Sequence, residues 1–111
     1  MTDDDCSRTI TWAGGTHRFN LNHRWVRNVV AFSGIAGVTP AVALQMFDQQ
    51  SYSIDQIERI MELGLIGGGM AECEVEVVMD QHVRNRPIAP LAMIAVEVLA
   101  ALFVGAANVS A

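Results

Sequence analysis

The sequence predicts a mainly α-helical single domain with an N-terminal β-hairpin, a small helical body of four to five helices. Three observations carry this. A stretch of period-two apolar alternation brackets a Gly-Gly pair near the start, and from residue 20 onward the apolar period lengthens to about 3.6. The composition also suits one compact body: 111 residues, 51% apolar and 17% charged. At that length roughly two-thirds of the extended chain's surface can be buried. Low hydrophobicity with high net charge, the compositional cause of disorder, is absent.

Residues 1–8 are polar and acidic and read as a disordered tail, leaving 9–111 as the domain. In 9–19, Thr9 to Ala13 and Thr16 to Phe19 flank Gly14-Gly15, a pair that tolerates the positive φ of a two-residue turn. With those glycines at the turn, Trp12 faces His17 and Ile10 faces Phe19, while Thr11 and Arg18 point the other way. An isolated hairpin is marginal, so its apolar side must lie on helices.

The first helix, roughly 21–33, carries Trp25, Val26, Val29, Val30 and Phe32 on one face, with Asn20 or Asn22 as cap. Gly34 and Gly37 end it. Thr39-Pro40 places a cap and an N1 proline at the head of a second helix, 40–48, with Val42, Ala43, Met46 and Phe47 as its buried stripe. Ser53-Ile54-Asp55-Gln56 fits a capping box, with Tyr52 and Ile57 as its staple, and opens a third helix over 54–63. Gly64 is its natural stop.

For 70–85 a strand competes with a helix, because Glu72 to Val77 alternate. The length of the segment and the face made by Met70, Cys73, Val77, Val78 and His82 favour the helix. Glu72, Glu76 and Asp80 then set like charges four apart, with Arg84 placed to pair with Asp80. Pro87 breaks the chain, and 88–105 forms a last helix in which Glu97 is the lone charge. A helix so apolar is either central to the core or covered by a partner. Its candidate partner-binding residues are Leu91, Ile94, Val98, Ala101, Leu102 and Gly105. Candidate turns and hinges are Gly14, Gly15, Gly64, Gly67, Gly68, Gly69 and Pro87.

Chemistry-bearing constellations are few. All seven basic residues are arginine, against twelve acids, for a net charge of −5. That balance opposes nucleic-acid binding, which draws on counterion release by a basic face. Arg18, Arg24 and Arg27 make the nearest approach to a phosphate patch, and a solvated helix face is the plainer reading. His17, His23 and His82 lie on separate elements and match no zinc spacing, and no nucleophile–base set assembles. Glu72, Glu74 and Glu76 on one element cannot wrap a hard cation. The Gly64-to-Gly69 run follows a helix and lacks the Lys-Ser/Thr of a phosphate loop, so it reads as a terminator and flexible joint. Cys6 and Cys73 make no disulfide framework, and no secretory leader pattern opens the chain, which points to the cytoplasm. The C-terminal run is long enough to span a bilayer, but Glu97 sits near its middle. No enzyme activity, cofactor, metal, nucleic acid or membrane is expected.

The order of hairpin, Phe19-Asn20-Leu21-Asn22-His23-Arg24-Trp25, Gly37-Val38-Thr39-Pro40, Gly64-Leu65-Ile66-Gly67-Gly68-Gly69 and Arg86-Pro87 is distinctive. Over roughly 9–106 it resembles the small tail proteins of gene transfer agents and related long-tailed phages. These are described both as tail assembly chaperone and as tail tube protein. The resemblance implies a helical body with a hairpin, a role in virion tail morphogenesis in the host cytoplasm, and no catalytic residues. It also implies partners: the tape-measure protein or other tail proteins, or further copies of the chain in an oligomer. The implied alternatives are a chaperone absent from the finished tail and a tube or tube-end subunit retained in it.

Overall fold

The computed structural model describes residues 7–12, 15–84 and 86–104. Antiparallel strands β1 (Arg8–Trp12) and β2 (Gly15–Phe19) precede five helices. These are α1 (Arg24–Ser33), α2 (Pro40–Asp48), α3 (Ile54–Gly67), α4 (Glu72–His82) and α5 (Ile88–Val104). The radius of gyration, 12.9 Å, matches the roughly 13 Å of a compact chain of this length.

The hairpin differs from expectation in register. Trp12 pairs with Gly15, Ile10 with His17 and Arg8 with Phe19, so the residues between the strands are 13 and 14. Arg8 is thus already in the sheet, and the expected tail does not extend through residue 8. Gly14 lies outside the described residues, and Gly15 (φ 115°) opens β2. The slip is by two residues, which exchanges cross-strand partners but keeps every side chain on its face. Ile10, Trp12, His17 and Phe19 still point inward, while Thr11 and Thr16 share a 2.8 Å hydroxyl hydrogen bond on the outside.

His23 caps α1: its Nδ1 accepts from the Trp25 N–H at 3.1 Å. Neither Asn20 nor Asn22, the expected caps, takes this place; Asn20 instead accepts from the Asn22 N–H in the turn before. Only Val26 is fully buried on this helix, and Trp25 and Phe32 lie outside the core. α1 packs chiefly on α3, and its apolar residues span more of the helix circumference than that one neighbour covers. Thr39 caps α2 by accepting from Val42, with Pro40 at the first turn, and the helix turns Ala43 and Phe47 inward. Val42 belongs to the exposed side rather than the expected stripe.

α3 is the central element, with α1, α4, α5 and β2 all packed on it. The capping box is complete: Ser53 Oγ accepts from the Gln56 N–H at 3.2 Å, and the Ser53 N–H donates to Gln56 Oε1 at 2.8 Å. Tyr52 stacks on Phe47, ring centroids 4.8 Å apart. Ile57, Ile60, Met61, Leu63 and Leu65 are buried.

The glycine run does end α3, at Gly67 to Gly69 and not at Gly64. Gly64 and Gly67 are buried inside α3, and the helix ends in a Schellman arrangement. There the Met70 N–H donates to Leu65 O and the Gly69 N–H to Ile66 O. Gly69 (φ 111°) holds the left-handed position. The other three glycines clear space for the hairpin's exit. A Cβ at Gly67 would fall onto the Asn20 carbonyl and one at Gly68 onto the Arg18 carbonyl. At Gly64 it would press on Phe19 and Val98 at 3.1–3.3 Å.

The segment after it is helical, as its length suggests, but the buried face is Val75, Met79 and Val83. Cys73 and Val77 are exposed. Arg84 bridges Asp80 and Glu76, relieving two of the like charges on α4. Arg86 donates twice to the Gln81 carbonyl, at 2.8 and 3.0 Å, closing the helix end before Pro87.

Candidate functional site

α5 resolves the choice between core helix and partner surface in both directions. Leu91, Ala92, Ala95, Val98, Leu99 and Ala101 are buried against α3, α2 and β1. Of the partner-binding residues expected from the sequence, Leu91, Val98 and Ala101 therefore face the chain's own core, and Ile94 and Leu102 are half-buried. Gly105 lies outside the described residues. A surface built on that stripe would exist only in an opened protein. The outward apolar residues of α5 are Ile88, Met93 and Phe103. Met93 was legible in the sequence, since it stands one turn from the solvent-facing Glu97.

Phe103 leads to an open groove of about 600 Å³ between the C-terminal ends of α1 and α5 and the 34–40 connection. Val30, Phe32, Val38, Pro40, Leu102 and Phe103 supply apolar lining, and Arg27 is the one charged side chain on it among the described residues. Phe32 is 91% exposed, the most exposed large apolar residue described, and Phe103 is 48% exposed. The groove owes its shape to the bend after α1. Gly34 (φ 71°), Ala36 (φ 53°) and Gly37 (φ 90°) all adopt left-handed backbone, and Ile35 and Val38 bond to each other across the turn. Such a conformation favours glycine, and Ala36 holds it against its Cβ. Phe32 and Phe103 on one groove make an exposed apolar patch of the kind that marks a partner- or ligand-binding surface.

The histidines have structural uses. His17 Nδ1 accepts from Trp12 Nε1 at 2.9 Å, His23 caps α1, and His82 meets the Trp12 ring edge-on with centroids 6.1 Å apart. Trp12 thereby ties the hairpin to α4, a juxtaposition that linear spacing did not reveal. Arg18, Arg24 and Arg27 are exposed, the first on β2 and the others on α1. Among the described residues no group of three or more His, Cys, Asp or Glu side chains is placed to hold a metal ion. Cys73 is a free, exposed thiol, and Cys6 lies outside the described residues. No described helix is long and apolar enough to cross a membrane.

No curated protein and no solved structure matches the chain. A family model described as "Phage tail tube protein, GTA-gp10" matches residues 5–105, and so takes in the hairpin, the glycine strip, the Arg86-Pro87 step and α5 together. The chain belongs to that family of phage and gene-transfer-agent tail proteins.

Proposed function

We propose that this tail-family protein is a non-enzymatic tail assembly chaperone, binding an apolar segment of the tape-measure protein or of a tail intermediate in the host cytoplasm. The observation that carries the reading is the groove under Phe32 and Phe103 on a body whose described sheet has two strands. A two-stranded sheet offers little edge for pairing with further copies in a wall. Reversible holding of a partner needs only apolar surface offered at low cost in stability. The partner-facing residues are then Phe32, Phe103 and Met93 rather than the buried stripe of α5.

Co-expression with the tape-measure protein tests this directly. The complex should co-purify, and Phe32→Asp should abolish it. Failure of the unaltered chain to co-purify with any tail protein would overturn the reading.

The family description itself favours a second reading, a tube or tube-end subunit that assembles with further copies. Mass analysis of purified particles separates the two. A chaperone is missing from finished tails, whereas a tube subunit is present in many copies.

A further inference from the structure

A second concavity, of about 210 Å³, lies on the side of α1 that carries Trp25, where α3 and α4 approach it. Leu63, Ile66 and Val75 form its apolar walls beside the indole. Trp25 is 45% exposed. Three carboxylates rim it, Glu62 from α3 and Glu72 and Glu76 from α4. One cation, Arg59, shares the rim and is already bound to Glu62 at 3.3 Å. Glu76 is reached by Arg84 from outside the pocket. The Glu72 carboxylate has no ion pair or hydrogen bond among the described residues. The rim thus carries more negative charge than its own cation balances, around an aromatic face.

We propose that this pocket receives an arginine side chain from a basic, partly apolar segment of a protein partner. A guanidinium is planar and weakly hydrated, so it stacks on an indole while its N–H groups reach carboxylates at the edge. Its three-carbon stem matches the Leu63, Ile66 and Val75 walls. An acidic segment is repelled by the same rim, and a purely apolar one leaves the Glu72 carboxylate without a counter-charge. The pocket deepens the reading above, on which it rests for its premise of a protein partner, by giving that partner a charge.

The test uses the full chain with ¹⁵N-labelled tryptophan and a blocked Leu-Arg-Leu peptide as probe, with Leu-Gln-Leu as control. The Trp25 indole N–H resonance should shift saturably with the arginine peptide and not with the glutamine one, while Trp12 stays still. The double substitution Glu72→Gln with Glu76→Gln should weaken binding about tenfold, and both sites are exposed enough to leave the fold intact. Equal responses to the two peptides, unchanged affinity in the double variant, or a still Trp25 resonance would each overturn the pocket. Neither probe contains a tail protein. Loss of the peptide response therefore leaves the chaperone reading standing, and absent co-purification leaves the pocket standing.

Discussion

The Asn20 N–H donates to the Gly64 carbonyl at 2.9 Å, fastening the exit of the hairpin to the last turn of α3. The same carbonyl accepts from the Gly68 N–H one turn on, also at 2.9 Å. Two backbones approach this closely only where the helix shows no side chain.

Alanine substitutions along the strip should therefore rank by the atom each new Cβ meets. At Gly67 and Gly68 that atom is a backbone carbonyl, which cannot rotate away. Each should cost about 3 kcal/mol or more, or displace the hairpin outright. At Gly64 the neighbours are the Phe19 and Val98 side chains, and overpacking of about 1–3 kcal/mol is partly offset by about 1 kcal/mol of helix propensity. Urea denaturation of the three variants gives the ranking, and a Gly67→Ala protein as stable as the unaltered chain would disprove the close approach.

Trp12→Phe should destabilise by about 1 kcal/mol, the worth of the hydrogen bond to His17, while keeping ring contact with Phe19 and His82. The loss should be local. Hydrogen exchange should quicken at the β1 and β2 amides and leave the α3 amides unchanged, whereas uniform quickening would contradict a local role.

Function and stability should separate along the apolar residues. Phe32→Asp touches no core contact and should change stability by no more than about 0.5 kcal/mol while removing partner binding. Leu99→Ala empties a fully buried site and should cost about 2–5 kcal/mol. Thermal melts with co-purification distinguish them, and a strongly destabilised Phe32 variant would place that ring in the core.

Arg84 is held above the ordinary arginine range by its hydrogen bonds to Asp80 first and Glu76 second. A cation whose pKa is raised on folding contributes stability that is fully present below its unfolded pKa and is lost only as pH rises through the folded value. Both lie beyond the working range, so the Arg84 contribution should be flat from pH 7 to about 10. The pairs are exposed, so Arg84→Ala should cost no more than about 1 kcal/mol, and 1 M salt should erase most of the difference. Equilibrium unfolding at low and high salt measures both.

What the sequence disclosed was mostly local chemistry. Thr39-Pro40 and the Ser53–Gln56 box act over three or four residues, so their helices begin where spacing places them. For Gly64, Gly67 and Gly68 the converse holds. Glycine as a stop and glycine as clearance look alike until it is known which strand crosses above, and that strand lies 45 to 50 residues away. Trp25 and Phe32 share the apolar face of α1 yet lie outside the core, because period 3.6 locates an apolar face without saying how much of it a neighbour covers. The groove and the Trp25 pocket both arise from that uncovered excess.

The hairpin's attachment to the Gly64–Gly68 backbone also sets a sequence of events. A two-stranded ribbon has little stability alone, and the surface that fixes this one is made from residues translated well after it. The hairpin thus leaves the ribosome before α3 but is secured only with it, and its inner face of Ile10, Trp12 and Phe19 stays uncovered until α3 has formed.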